Sequence, residues 1–429
     1  MSEQSEVTAE RLRICLITNE LPGVTPYTGG IGVRFLATAE ALVRLGHEVT
    51  VLVHRPSKSR NTSLEVRIIH GVRIEIRSVR LLRMCGMPTP LANALGFGSV
   101  LGRGTKYDIV FAPEWGGWAS LYSVFRSKEG GHLVTSLATS LEQAEAASGT
   151  PKSRSVSASL QRMLERVQTT RSDYIVAVSS AILRWTKEIW PVDEVPAVVV
   201  PNGLDKSVID ELRGRASDSD GNRAVRVLYT GRLSTWKGVD ILMDAAELLW
   251  SSGKKFDLSV VGKPETIRGV SSDAYIEEVS ARHGRHVAVH GHLSRAQAIE
   301  QLMDADVAVF PSRFEAFGNA ALEAKMAAKA VVVTSGSGFD DFCTNAEDCL
   351  MTEPGNAQAL ADALASLIDD EDLRLRLGRE AEIRSRTLDI NAVAKMLENV
   401  FSEASQMPKK IGNNFKQVPS ADARRESVG

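Results

Sequence analysis

The sequence predicts an α/β protein built from two doubly wound domains whose parallel sheets face each other across a cleft. Three observations carry this reading. Short runs rich in Val and Ile alternate with longer amphipathic stretches over most of the chain. The runs are apolar on both faces and bounded by Gly, Pro or Ser, as strands covered by helices on both sides are. The series occurs twice, interrupted by "RGRASDSDGNR" (213–223), which is polar, lacks apolar periodicity and reads as a linker.

The first series opens with "LRICLIT" (12–18), a helical pattern "GVRFLATAEALVRLG" (32–46) and "EVTVLV" (48–53). It continues with "YDIVFA" (107–112), "HLVTSL" (132–137) and "DYIVAVS" (173–179). The second consists of "AVRVLYT" (224–230), "FDLSVVG" (256–262), "HVAVHG" (286–291), "DVAVF" (306–310) and "AVVVT" (330–334). Strand alternating with helix means βαβ units. The expected domains are 1–200 and 201–390, with a helix at 391–405 returning to the first domain. Residues 406–429 are polar without helical period and are expected to form a disordered tail. A chain of 429 residues fits two to three domains.

The apolar fraction of 43% and charged fraction of 24% are ordinary for a globular protein. A formal net charge of −2 offers none of the basic excess that a nucleic-acid binder shows. Cys15, Cys85, Cys343 and Cys349 form no C-x-x-C pair, which fits a reducing compartment and argues against structural zinc. The N-terminus "MSEQSEVTAER" is no signal peptide, and no apolar run approaches the roughly 20 residues that span a bilayer. The expected location is cytoplasmic, with contact at the inner membrane face left open.

Three motifs sit at the carboxyl ends of expected strands, where open α/β sheets bind ligands. Gly29, Gly30 and Gly32 open the first helix. Such a turn lets backbone N–H groups approach a phosphate; a tight turn alone explains it equally well. It matches neither a P-loop nor G-x-G-x-x-G. In "YTGRLSTWKGVD" (229–240), Arg232 and Lys237 follow a strand. Two cations aimed at a diphosphate would hold it as a leaving group; otherwise they face water. In "FPSRFEAFGNAALEAKMAAKAVVVT" (310–334), Glu315 and Glu323 are separated by seven residues, and a helix is expected from 316. Their carboxylates suit the hydroxyls at the two ends of a nucleotide sugar, with a helix N-terminus aimed at the phosphates between.

"GRLSTWKG", "PSRFEAFGNAALEA", "PNGLD", "GGIG" and "PEWGGW" together resemble the retaining glycosyltransferases of family 4, which have the GT-B fold of two Rossmann-like domains. The resemblance spans about residues 12–390 and is strongest in the second half. It implies transfer of a sugar from a nucleotide-sugar donor, a UDP-sugar first and GDP-mannose second, with retention at the anomeric carbon. Arg232 and Lys237 would hold the diphosphate, Glu315 the donor sugar and Glu323 the ribose. Ala316, Phe317 and Gly318 would add backbone N–H donors, and Gly30 would lie under the phosphates from the opposite domain. No metal or other cofactor is implied. The acceptor would be a glycan, a lipid-linked sugar or a small molecule. One departure stands out: many members carry a His where this chain has Leu137 or Ala138, with Thr139 and Ser140 next. Competing readings are a catalytically weakened sugar-nucleotide sensor or partner subunit, and a nucleotide-sugar epimerase or hydrolase.

Lesser candidates remain. Glu114 and Trp115 follow a strand and are expected on the acceptor side with Thr139, a structural Trp being the alternative. His283, His286, His290 and His292 lack the Cys, Asp or Glu neighbours that would complete a metal site. Arg73, Arg77, Arg80 and Arg83 among the apolar residues of 72–104 read as a solvated strand-and-helix face, with contact to anionic lipid or a lipid-linked acceptor as the alternative.

Overall fold

The computed structural model describes residues 11–25, 30–54, 63–102, 107–149, 151–205, 211 and 223–410. Its first sheet has eight strands: β1 (Arg13–Thr18), β2 (Glu48–His54), β3 (Glu65–Ile69), β4 (Val72–Arg77), β5 (Ile109–Pro113), β6 (His132–Leu137), β7 (Tyr174–Ala177) and β8 (Ala197–Val199). Their order is β3-β4-β2-β1-β5-β6-β7-β8. All neighbours are parallel except β3 on β4. The helices of this half are α1 (Gly30–Arg44), α2 (Arg80–Met84), α3 (Thr89–Leu101), α4 (Ser120–Phe125), α5 (Leu141–Ala147), α6 (Val156–Thr170) and α7 (Ser180–Ile189).

The second sheet contains β9 (Val225–Thr230), β10 (Phe256–Val261), β13 (Val287–Val289), β14 (Val307–Phe310), β15 (Ala330–Thr334) and β16 (Leu350–Thr352). A small hairpin, β11 (Thr266–Ile267) and β12 (Val270–Ser271), lies outside it. The sheet order is β13-β10-β9-β14-β15-β16, all parallel. Its helices are α8 (Val239–Ser251), α9 (Ser272–Arg282), α10 (Arg295–Asp304), α11 (Asn319–Met326), α12 (Ala357–Asp369) and α13 (Glu371–Ser385). The central strands are apolar on both faces because helices cover both: β14, β15 and β5 are buried throughout.

The chain crosses between the two halves twice at one place. Leu204 donates its N–H to the Leu388 carbonyl and accepts from Ile390 N at 2.8 Å. After this crossing, α14 (Ile390–Gln406) lies on α1. Val393, Leu397 and Phe401 join the core of the first sheet, and Glu398 meets His47 at 3.1 Å.

Five strands, β3, β8, β16 and the hairpin pair β11 and β12, had no counterpart in the sequence reading. β3 alternates poorly and is largely exposed, while β8 and β16 have three residues each. The expected tail at 406–429 starts too early. Gln406 closes α14, and the segment behind it packs on the first domain through Lys410 N to Asp173 and His132 to the Met407 carbonyl. Residues 411–429, most of the expected linker and Gly29 lie outside the described residues.

Asp173 ties this corner together. Its carboxylate is fully buried and accepts from both Nη atoms of Arg126, from Leu133 N and from Lys410 N. Removing one partner of a buried pair strands the other charge. Asp173→Ala should therefore cost about 3–5 kcal/mol of unfolding free energy. Urea unfolding followed by circular dichroism measures it; a loss below about 1 kcal/mol, the worth of an exposed pair, would contradict this role.

Candidate active site

The carboxyl ends of both sheets open onto a cleft of about 680 Å³. On the second domain's side, two loops build its wall. One runs from β9 to α8 and carries Arg232, Trp236 and Lys237; the other runs from β14 to α11 and carries Ser312 and Glu315. The loops are stitched together. Lys237 Nζ lies 2.5 Å from Glu315 Oε2, and Trp236 Nε1 donates to the Phe314 carbonyl at 2.6 Å. Arg313 donates its backbone N–H to the Trp236 carbonyl and holds Asp240 through two bonds of 2.8 Å. Arg232 lies 5.3 Å from the Trp236 ring centroid and 3.3 Å from Glu265.

Two glycines make this packing possible. Gly238 has φ 73°, and a Cβ there would fall 1.9 Å from the Pro311 carbonyl oxygen. Gly318 has φ 106°, and its Cβ would meet the Phe339 ring at 2.3 Å. Only glycine fits both the backbone angle and the space.

Gly318 also explains a correction. The helix expected from 316 starts at Asn319, because the left-handed Gly318 ends the loop there. Ala316, Phe317 and Gly318 therefore precede the helix, and their backbone N–H groups make no hydrogen bond among the described residues. Glu323 lies about one turn into α11 rather than two. It lines a neighbouring cavity of about 550 Å³ and pairs with Arg295 at 3.0 Å. Burial pushes its carboxyl above the usual range, and Arg295 partly offsets this. Thr230, Gly231, Arg232 and Ala320 line both cavities, so the two are continuous.

On the first domain's side, Gly30 begins α1. A Cβ on it would sit 3.7 Å from Asn319 Nδ2 of the opposite domain. Trp115, Ala138 and Thr139 line the cleft. Ala138, not Leu137, occupies the wall where the resemblance implies a His; Leu137 is buried in β6. His132 starts the same strand and binds the Met407 carbonyl, away from the cleft.

Glu114 does not line the cleft, contrary to expectation. It is 1% exposed and accepts from Ala138 N at 2.6 Å, while its Oε2 has no partner among the described residues. Buried Glu165 accepts from Gly116 N at 2.8 Å and Leu141 N at 2.9 Å. Two hidden carboxylates thus hold the loops that present Trp115 and Thr139.

Arg34, Asn202 and Asn319 are among the cleft residues that sequence reasoning missed. Arg34 lies four residues after Gly30, on the same helix face, and that spacing was a usable signal. Asn202 stood inside "PNGLD". It donates to Asn319 Oδ1 at 2.9 Å and so joins the domains. Asp341 adds a second link, accepting from Ser180 N at 2.6 Å. Elsewhere, His283 pairs with Glu247, and no group of three His, Cys, Asp or Glu is placed for a metal among the described residues. Arg73 and Arg77 both bond Glu75, which neutralises part of the basic patch.

Residues 28–208 match the family model "Glycosyltransferase Family 4", and residues 216–384 match "Glycosyl transferases group 1". A D-inositol 3-phosphate glycosyltransferase of Corynebacterium aurimucosum is 25% identical over 92% of this chain and 94% of its own. A glycogen synthase of Mycobacterium tuberculosis is 25% identical over 92% and 95%. Among solved structures, sucrose-phosphate synthase from Thermosynechococcus elongatus aligns with TM-score 0.71 at 18% identity, covering 92% of this chain and 99% of that one. Anabaena HepE in complex with UDP-glucose aligns with TM-score 0.64 at 19% identity, covering 92% and 100%. The two facing sheets and their cleft are those of a GT-B glycosyltransferase. The chain belongs to glycosyltransferase family 4.

The buried carboxylates make a pH prediction. Burial pushes both Glu114 and Glu165 up to about 7, from an ordinary value of 4.5. Between those values the folded protein keeps protons that the unfolded chain has released, so stability falls as pH rises through that window. Relative to a Glu114→Gln/Glu165→Gln double variant, the natural protein should lose up to about 1.4 kcal/mol per pH unit per group from pH 5 to pH 7. Denaturant unfolding across that range tests this; parallel stability curves would contradict it.

Proposed function

We propose that this chain is a retaining, metal-independent hexosyltransferase using a nucleotide-sugar donor, a UDP-sugar before GDP-mannose, and a hydroxyl acceptor. The observation that carries this is the meeting of Arg232, Lys237 and Glu315 in one cleft, with three unbonded N–H groups and the start of α11 beside them. Cations and N–H groups converging on one place suit a diphosphate.

In this reading, Arg232 and Lys237 hold the diphosphate while it leaves with the electron pair of the anomeric C–O bond. The acceptor oxygen bonds the anomeric carbon on the same face, and its proton passes to the departing diphosphate. Glu315 accepts from hydroxyls of the donor sugar. Glu323 accepts from the ribose, with the base in the cavity beside Arg295. Ala316, Phe317 and Gly318 donate backbone N–H groups, and Gly30 approaches from the other domain. Trp115 and Thr139 face the acceptor, with Glu114 bracing them from below. The long relatives named above act on D-inositol 3-phosphate or make glycogen, so a small phosphorylated acceptor and a polymer both fit the family. A role in glycan or glycoconjugate synthesis follows from either.

Ala138 favours a second reading: a protein that binds the donor but turns it over weakly, since among the described residues no imidazole lines the cleft there. Release of nucleoside diphosphate from UDP-, GDP- and ADP-sugars, with and without a glycan and lipid extract, separates the two. Release from one donor, stimulated by extract, supports the transferase. Tight binding without release supports the second reading. Lys237→Ala should lower kcat at least about 100-fold, the loss typical of a missing charge-stabilising donor, with turnover read well below the Tm that the stranded Glu315 carboxylate lowers. Unchanged turnover would remove Lys237 from the mechanism.

A further inference from the structure

We propose that Arg34 binds an anionic group, a phosphate or a carboxylate, carried by the acceptor. The proposal rests on the transferase reading and narrows its acceptor.

Among the described residues three cations line the cleft: Arg34, Arg232 and Lys237. Two of them have carboxylate partners, Glu265 for Arg232 and Glu315 for Lys237. The hydrogen bonds of Arg34 go to neutral oxygens. Nη1 donates to Asn202 Oδ1 at 3.1 Å, and Nη2 donates to Ser136 Oγ at 2.5 Å. Among the described residues no carboxylate bonds its guanidinium; buried Glu114 acts on it only through space, favouring its charged form. Only two of its five N–H donors are used this way. Burial weakens its hold on the proton, but only to about 10, so the group is charged at neutral pH.

A desolvated cation is costly unless an anion meets it. Holding an arginine with neutral oxygens beside an open cleft fixes the fork and leaves its charge available. Such a fork matches phosphate or carboxylate.

The position assigns that anion to the acceptor. Ser136 belongs to β6 of the first domain, just before Ala138 and Thr139. Asn202 lies at the crossover and is itself held by Asn319. Arg34 is therefore anchored to the wall that Trp115 and Thr139 share, whereas the donor diphosphate has Arg232 and Lys237 on the opposite wall. A sugar phosphate docked on Arg34 would present its hydroxyl across the cleft.

The test uses the whole chain loaded with UDP. Matched ligands are titrated by calorimetry: glucose against glucose 6-phosphate and glucuronate, and myo-inositol against its 1-phosphate. At least one anionic member should bind about 10-fold or more tightly than its neutral partner, as a charge-assisted bond predicts. Arg34→Gln should abolish that preference, and Arg34→Lys should restore part of it. UDP affinity should stay within about twofold of the natural protein in both variants, which also shows that they fold. Equal binding of neutral and anionic members overturns the proposal, as does failure of every anionic member to bind. A loss of UDP affinity in Arg34→Gln also overturns it, by assigning the guanidinium to the donor phosphates. Failure of UDP, GDP and ADP alike to bind the natural protein would instead overturn the transferase reading.

Discussion

The contact between Lys237 and Glu315 organises the site. It spans 78 residues of sequence and joins the loops after two adjacent strands, β9 and β14. Both side chains are largely buried, at 19% and 17% exposure, so each needs the other or a ligand. The pair also keeps the lysine near the cleft without solvating it fully. A diphosphate entering there would offer the lysine a more highly charged partner and free the carboxylate for sugar hydroxyls. An ion pair that a substrate can open is preorganised on both sides, which is how electrostatic catalysis avoids reorganising the site during the reaction.

Everything around this contact serves to hold it. Trp236 locks the first loop to the second through the Phe314 carbonyl, and Arg313 locks the second to α8 through Asp240. Gly238 and Gly318 let the two loops approach more closely than any side chain would allow. The first domain is then set against this wall by Asn202 on Asn319, by Asp341 at the start of α7, and by Trp185 against Phe314 with ring centroids 4.6 Å apart. The double crossing at Leu204 and Ile390 sends α14 back onto α1 and braces the arrangement from behind.

The fold was legible where burial on both faces leaves a continuous apolar run, as in β1, β14 and β15. It was not legible for β3, an exposed edge strand, nor for the three-residue β8 and β16, where neighbours rather than composition make the strand. The site followed the same division. Arg232, Lys237, Glu315 and Glu323 stand beside strand ends that the sequence marks clearly. The start of α11 was misplaced because Gly318 works through backbone angle, which a helical pattern does not reveal. Glu114 was placed on the cleft because it follows β5, but its side chain turns inward to Ala138 N. Asn202 matters through a contact formed only when the domains meet, and Arg34 through Ser136 and Asn202, which lie far from it in sequence.

The most direct measurement is a crystal structure of the protein with UDP. Both Arg232 and Lys237 should lie within about 3.2 Å of diphosphate oxygens, with the Lys237–Glu315 contact opened and the ribose on Glu323. A nucleotide bound elsewhere, with Lys237 still on Glu315, would contradict the account.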